Sequence, residues 1–232
     1  SVSYSAEKSA NEIINHVIEK FDGINCRFDL SIIKKQKSKP DKSKIYSISI
    51  SQPKNDTISR MIRLDTKKPT NLSDVSYWEH TYGIDKKRNR WLTLPITGKL
   101  KIIESDEKIG DDSNIEDILL DLNKVLLNKN EIINNKIEKN ISISIIESVG
   151  STKQHIWIDD INYRIVKVIT YNKYGRVIKE LLFSDFNNVD GFSMPNKIDI
   201  KDKKRKISYH AKINNFQLVE TFKHNFFQPK GK

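Results

Sequence analysis

The stretch NRWLTLPITGKLKIIES, residues 89–105, decides the fold class. Its first half carries Trp91 and two leucines before Pro95, and its second half alternates leucine and isoleucine with lysine. Alternation at every second residue is typical of a strand with one buried face, and the proline and glycine between the halves mark a turn. The stretch therefore predicts an antiparallel hairpin, and the same two-residue period returns along most of the chain.

Apolar residues at helical spacing occur in two segments. Residues 6–21 place apolar side chains on one helical face, and Gly23 ends that helix. A second helix is predicted within residues 110–128. Ser113 and Glu116 form a capping box near its start, in which each side chain bonds the backbone N–H of the other residue.

The remaining apolar segments follow the strand period and are joined by short turns rich in Asn, Asp and Gly, which suits antiparallel hairpins. Residues 131–140 are predicted to be either a further turn or two of helix or a loop. Because no linker or repeat divides the chain, residues 1–232 are predicted to form a single domain. The fold class is mainly β, with two or more helices.

A sheet with so many strands must curl, and each helix has one apolar face that needs a surface to cover. We expect both helices to cover the concave face of the curved sheet. The space beneath them is either an apolar cavity or a filled core, and periodicity alone leaves both open.

The composition limits the classes of partner and site. Lys and Arg number 41 against 30 Asp and Glu, and the net charge of +11 favours anionic partners or, more simply, reflects lysines spread over solvated faces. Cys26 is the only cysteine, which excludes an intrachain disulfide. The five histidines stand apart, and neither a nucleophile motif nor a phosphate-binding glycine loop occurs, so we expect no enzyme activity, no cofactor and no metal site.

The chain has no apolar run long enough for a transmembrane helix. Its first residues lack the charged and apolar regions of an export signal. The chain is therefore expected to be either cytosolic or the mature form of an exported protein.

Residues 77–105 resemble a signature of the LolA-like superfamily of outer-membrane lipoprotein-sorting proteins. In that signature an aromatic–Leu–x–Leu–Pro strand is followed by a basic strand and then by a GDD…EDI segment that leads into a helix. The corresponding parts of this sequence are residues 91–95, 99–103 and 110–118.

The second half of the chain is also similar to that superfamily. Residues 156–202 follow its order of a Trp–x–Asp strand, a hairpin and a dG-x-x-x-P-x-x-I motif, which here covers residues 190–198. The stretch NFFQP, residues 225–229, is similar to its terminal strand.

The resemblance implies an unclosed half-barrel with a hydrophobic cavity beneath its helices. It implies a monomeric periplasmic carrier that takes lipoprotein acyl chains from an inner-membrane ABC-type transporter toward an outer-membrane acceptor. An anionic membrane surface is a further partner that the positive charge would suit. In the best-known carriers an arginine directly before a proline fastens the helical lid, and the basic–proline pair here is Lys68-Pro69, whose lysine lacks the planar guanidinium fork.

We predict that apolar side chains of three strand regions and of the second helix line the cavity. The predicted residues are Trp78, Trp91, Leu92, Leu94, Ile118, Leu122, Ile143, Ile145 and Trp157. Ordinary core packing is the alternative for each of them, because the inward face of a strand depends on its register.

Two other functions fit the sequence less well. A lipid or lipoprotein sensor, or a carrier of another lipid, would use the same fold. A basic nucleic-acid-binding β protein would need aromatic residues on an exposed positive face to stack bases, whereas the tryptophans here lie in strongly apolar strands.

Overall fold

The computed structural model describes residues 8–53, 57–83, 87–104, 118–119, 122–138 and 140–231. Two α-helices and thirteen strands occur in these ranges, together with a short 3-10 helix at Thr70–Leu72. The elements are α1 (Ala10–Glu19), β1 (Asn25–Gln36), β2 (Lys42–Ser51), β3 (Ile58–Lys68), β4 (Ser76–Tyr82), β5 (Lys87–Thr93), β6 (Leu100–Ile102), α2 (Leu122–Leu126), β7 (Lys129–Glu138), β8 (Ile141–Val149), β9 (Lys153–Asp159), β10 (Arg164–Tyr171), β11 (Val177–Val189), β12 (Phe192–Asp202) and β13 (Ile207–Leu218).

All thirteen strands belong to one antiparallel sheet that does not close on itself. Its order is β6-β5-β4-β3-β2-β1-β13-β12-β11-β10-β9-β8-β7. Neighbours in the sheet are also neighbours in sequence, except where β1 pairs with β13 and joins the two halves of the chain. The predicted fold class, a mainly β unclosed half-barrel with helices over its concave face, is confirmed.

Ser9 caps the amino-terminal end of helix α1 through a capping box with Glu12. The Ser9 hydroxyl accepts a hydrogen bond from the Glu12 backbone N–H, and a Glu12 carboxylate oxygen accepts one from the Ser9 N–H (2.6 Å). The helix is shorter than the predicted residues 6–21. The second predicted helix is represented by α2, and its predicted cap at Ser113 and Glu116 lies outside the described residues.

The prediction of helix or loop for residues 131–140 was wrong, because most of this segment is the edge strand β7. Ile132 pairs with Ile146 of β8, and the ladder continues to Glu138 opposite Ile141. The asparagines in the middle of the segment obscured its two-residue period. A register shift between Ile132 and Asn134 breaks that period as well.

The core lies on one face of the sheet, beneath α1. Ile14 and Val17 of α1 pack with inward-facing aliphatic side chains, of which Leu30, Ile48 and Ile158 are fully buried. Seven neighbouring strands contribute to one cavity on this face, in the sheet order β3, β2, β1, β13, β12, β11 and β10. A flat sheet would spread seven strands over about 29 Å, so the sheet must be strongly curved, with the core on its concave side.

The convex side is covered in part by the carboxyl-terminal segment, residues 219–231. Phe222, Phe226 and Phe227 form a cluster of rings with centroids about 5 Å apart. The Arg63 guanidinium lies 4.8 Å from the Phe226 ring centroid, and its Nη1 donates to the Phe226 carbonyl oxygen. His80 is bonded to the Phe227 carbonyl oxygen (2.9 Å), so this segment is fixed to β3 and β4 from outside.

Candidate functional site

A cavity of about 250 Å³ lies between the concave face and the helical cover, which we define as α1, α2 and residues 118–119. Its wall is mostly apolar and rich in phenylalanine and isoleucine. The apolar lining residues are Val17, Ile18, Phe21, Ile24, Cys26, Phe28, Ile50, Ile118, Leu119, Leu122, Ile165, Phe183, Phe186, Phe192, Met194, Pro195, Ile198 and Ile213.

The cavity lies at one end of the sheet, where β2 ends and β12 begins. Asp190 and Gly191 both have positive φ (52° and 81°), so the hairpin between β11 and β12 turns in two residues. This tight turn brings Phe192 and Ser193 to the cavity wall. The Phe192 ring also packs edge-on against Phe21, 4.9 Å between centroids, and so connects the sheet to the end of α1.

Arg60 joins the sheet to the helical cover. Its Nη1 donates to the carbonyl oxygen of Leu119 (3.2 Å), and its Nη2 donates to Oε1 of Glu79 (3.2 Å). Glu79 also accepts a hydrogen bond from the Tyr77 hydroxyl (2.7 Å) and is paired with Arg88. One guanidinium thus holds the cover at a backbone carbonyl while a buried carboxylate holds the guanidinium.

The Glu79 carboxylate is charged in spite of its burial. Burial alone would raise its pKa, but the Arg60 guanidinium, the Tyr77 hydroxyl and Arg88 together lower the pKa below its ordinary value. By contrast, burial raises the pKa of the Cys26 thiol to about 12, because the apolar wall offers the thiolate no partner.

Basic side chains gather beside the cavity at the turn between β9 and β10. Arg164 donates from Nε to Asp159 (3.0 Å) and from Nη1 to the Ser193 hydroxyl (3.1 Å). The Lys20 ammonium donates to the Asn162 carbonyl oxygen, and Asn162 in turn lines the cavity. Burial would raise the pKa of Asp159, but hydrogen bonds from Asn162 and the Ile161 N–H, with Arg164 nearby, lower it.

Two of the nine predicted lining residues, Ile118 and Leu122, lie in the wall of this cavity. Both come from the helical cover. The other seven are not lining residues of this cavity. Contact with a lipid stays a prediction for all nine.

The seven remaining residues divide by their place in the sheet. Trp78 pairs with Trp91, and both lie on the convex face, opposite the buried Tyr77. Leu92 packs against the core away from the cavity, and Leu94 follows the end of β5.

Ile143, Ile145 and Trp157 lie on the convex face of β8 and β9. Ile145 pairs with Trp157, whereas the neighbouring pair Ile146 and Ile156 points into the core. Successive side chains of a strand point to opposite faces. The inward-facing residues Ile146 and Ile156 are therefore the immediate sequence neighbours of the predicted Ile145 and Trp157.

Lys68 is exposed at the end of β3 and is not a lining residue. Its peptide bond to Pro69 is cis. The basic residue that contacts the helical cover is instead Arg60, at the opposite end of the same strand.

Sequence reasoning did not single out the phenylalanines and Met194 of the second half, although the dG-x-x-x-P-x-x-I motif contained a usable signal. Gly191, Pro195 and Ile198 of that motif all line the cavity. The motif therefore marks the cavity wall on the β12 side.

Within the ranges that the structure describes, no three His, Cys, Asp or Glu side chains come together as a metal site would require. In the same ranges, no helix is both long enough and apolar enough to cross a membrane.

Solved structures that are similar over nearly the whole chain include the following three. A DUF1329 family protein from Desulfovibrio piger has a TM-score of 0.84 at 13% identity, covering 94% of this chain and 95% of its own. A putative outer membrane lipoprotein-sorting protein domain from Vibrio parahaemolyticus has a TM-score of 0.81 at 17% identity, covering 94% and 96%. A LolA superfamily protein from Nitrosomonas europaea has a TM-score of 0.69 at 14% identity, covering 96% and 98%.

No curated protein matches the sequence. A family model described as an uncharacterized protein matches residues 60–231, which is most of the chain. The chain therefore belongs to that family, and its fold is the fold of the LolA-like superfamily of lipoprotein-sorting proteins.

Proposed function

We propose that this protein is a non-enzymatic carrier that binds the acyl chains of lipoproteins in the cavity beneath its helical cover. The observation that carries the proposal is the apolar wall, which comes from seven strands and both helices and surrounds unfilled space. Aliphatic and aromatic side chains without a catalytic group favour binding through the hydrophobic effect. The Vibrio parahaemolyticus neighbour, described as a lipoprotein-sorting protein domain, supports the same reading.

The small size of the cavity favours a carrier whose helical cover moves. About 250 Å³ is below the range of about 300–1,000 Å³ that is usual for ligand pockets. Each buried methylene contributes about 0.8 kcal/mol, so a fully buried long chain would be held too tightly to be passed on. A cavity that opens to admit a chain and collapses when the chain leaves would meet both demands.

Arg60 is the proposed latch of that motion. Its hydrogen bond to the Leu119 carbonyl joins the cover to the sheet, and breaking a hydrogen bond of this kind has a modest net cost of about 1 kcal/mol. Glu79 keeps the guanidinium in place while the cover is open. In this arrangement Arg60, and not Lys68, fastens the helical cover to the sheet.

The proposal places the protein in the periplasm as a monomer. Its partners there would be an inner-membrane ABC-type transporter that supplies the lipoprotein and an outer-membrane acceptor that receives it. The positive surface would favour contact with anionic membrane surfaces.

The nucleic-acid-binding alternative has less support. Stacking on bases needs accessible rings, and Trp78 is only 3% exposed. Trp157 is half-buried under the Lys167 ammonium, 5.1 Å from its ring centroid.

The direct test is lipid capture by two variants of the helical cover. Leu122→Asp places a charge in the cavity wall, whereas Leu127→Asp makes the same change at a side chain that is 68% exposed, just beyond the end of α2. We expect native mass spectrometry of the protein isolated from cells to show bound acyl lipid in the wild type and in Leu127→Asp, and none in Leu122→Asp. Wild-type protein without lipid would refute the carrier function, and equal lipid in both variants would refute the placement of the lipid in this cavity.

A further inference from the structure

The charged residues of the cavity wall all have the same sign. Lys20, Arg60 and Arg164 are lining residues, and none of the described lining residues is Asp or Glu. An apolar cavity that binds only hydrocarbon has no need of cations, because burying or crowding a charge costs free energy unless a partner compensates it. The question is which of the three charges already has a partner within the protein.

Two of the three cations form ion pairs with carboxylates that do not line the cavity. Arg60 is paired with Glu79 at 3.2 Å, and Arg164 is paired with Asp159 at 3.0 Å. Both carboxylates are buried, so each pair is a fixed part of the sheet. These two arginines support the wall and keep little free charge for a ligand.

Lys20 is different, and Lys8 lies beside it. Both ammonium groups approach the ring of Tyr163, at 4.7 Å for Lys8 and 5.6 Å for Lys20 from the ring centroid. Lys8 also donates to the Tyr163 hydroxyl, and Lys20 donates to the Asn162 carbonyl oxygen. Among the described residues neither lysine forms an ion pair with a carboxylate, although the charge of Lys8 contributes to the lowered pKa of Glu12. Two exposed ammonium groups thus converge on one ring at the edge of the cavity, where a ligand can reach them.

The polar groups around these lysines continue the same site. Tyr163 and Asn162 line the cavity, and the Ser193 hydroxyl lies on the facing hairpin, where Arg164 donates to it. Apolar residues begin directly behind them, with Ile18 and Phe21 on α1 and Ile165 on β10. The site therefore has a basic, hydrogen-bonding edge and an apolar interior, which is the pattern that an amphiphile with an anionic head requires.

We propose that the cavity binds a single acyl chain whose polar end carries a carboxylate or a phosphate, with the head held by Lys8 and Lys20 and the chain in the apolar interior. This inference rests on the acyl-chain binding proposed above, and it assigns to the cavity a free anionic lipid in addition to the acyl chains of lipoproteins. Ammonium groups bind either anion, because each presents rotatable donors to oxygen.

The test compares ligands that differ only in their heads. A long-chain fatty acid, the fatty alcohol of the same length and the corresponding lysophosphatidate displace a fluorescent fatty-acyl probe from the wild-type protein near neutral pH, below the concentration at which micelles form. We expect both anionic ligands to bind about tenfold more tightly than the alcohol, as one or two charge-assisted hydrogen bonds provide. The better of the two anionic ligands identifies the head as carboxylate or phosphate.

Two double variants then locate the effect. Lys8→Gln/Lys20→Gln should remove the preference for an anionic head while the alcohol binds as before. Lys39→Gln/Lys204→Gln removes the same charge from two exposed turns at the other end of the sheet, and it should keep the preference.

The possible failures are distinguishable. Equal binding of acid, lysophosphatidate and alcohol by the wild type would overturn the anionic head and leave the carrier function standing. Loss of the preference in both double variants would show a general charge effect and would also overturn the site. Failure of all three ligands to displace the probe, or of the probe to bind, would refute the carrier function itself.

Discussion

The two faces of the curved sheet are both apolar, yet they are covered in different ways. On the concave face, aliphatic side chains such as Ile48 and Ile198 lie under helices that leave a cavity of about 250 Å³. On the convex face, Arg63 lies between the rings of Trp78 and Phe226, and the carboxyl-terminal segment packs there with its own rings. The convex face is covered in part by residues of the same chain, whereas the concave face has an apolar cavity beneath the helical cover.

The two faces also differ in how deeply their paired carboxylates are buried. The concave carboxylate, Glu79, is buried between Arg60 and Arg88, and each partner depends on it. The convex carboxylate, Glu147, is partly exposed and forms pairs with Lys153 and His155 across the strands. Water can replace the partners of Glu147 but not those of Glu79, so substitutions on the two faces should have unequal effects.

We expect Glu79→Ala to lower the free energy of unfolding by about 4 kcal/mol, because it leaves two guanidinium groups buried without their carboxylate. The matched change on the other face, Glu147→Ala, should cost less than about 1 kcal/mol. Urea unfolding of the two variants measures both values. Equal losses would contradict the difference in burial.

The next effect concerns the convex face. Phe227 is 6% exposed within the ring cluster, and Phe227→Ala should lower the free energy of unfolding by about 3 kcal/mol. Lipid binding per folded molecule should not change, because the ring lies on the face opposite the cavity. A loss of lipid binding in folded Phe227→Ala protein would mean that the two faces are not independent.

The pH dependence of stability should reveal the buried carboxylate. Because the pKa of Glu79 is lower in the folded protein than its ordinary value of 4.5, its contribution is complete above that value and is lost as the pH falls through the lowered pKa. We expect the stability of the wild type to fall more steeply between about pH 5 and pH 3 than that of Glu79→Gln. Parallel curves from urea unfolding at several pH values would show that Glu79 is not charged in the folded protein.

The smallest effect is expected at Lys68. Since this side chain is exposed, Lys68→Gln should change the free energy of unfolding by less than about 0.5 kcal/mol and leave lipid exchange unchanged. Arg60→Gln should speed the exchange of bound lipid, because it removes the bond to Leu119. Exchange of a fluorescent lipid, followed by stopped flow, compares the two, and a faster rate in Lys68→Gln alone would reverse the assignment of the latch.

Much of the fold was predictable from local periodicity. The two-residue period identified the hairpin of β5 and β6 and most other strands, and short turns with Asp and Gly, such as Asp190-Gly191, implied antiparallel neighbours. The strand β7 was missed because its polar residues and its register shift hide the period. The pairing of β1 with β13 joins distant parts of the chain, and no local pattern specifies it.

The site was predictable only in part, because both faces of the sheet carry apolar side chains. In β9, Ile156 and Ile158 are as apolar as Trp157, so the sequence does not tell which of them points inward. The tryptophans were predicted to line the cavity, but they lie on the convex face, where Trp78 is 3% exposed. No sequence motif marks Arg60, because its role depends on contacts with Leu119 and Glu79, which lie elsewhere in the sequence.

The most direct test uses the single cysteine. Cys26 lines the cavity, while its neighbour Arg27 points to the convex face, so a thiol at either position reports on one face only. The rate of alkylation is measured for the wild type and for Cys26→Ser/Arg27→Cys, with and without saturating acyl lipid. The account predicts that lipid slows alkylation of Cys26 and leaves the thiol introduced at position 27 unaffected. Unchanged alkylation of Cys26 in the presence of bound lipid would contradict the placement of the ligand under the helical cover.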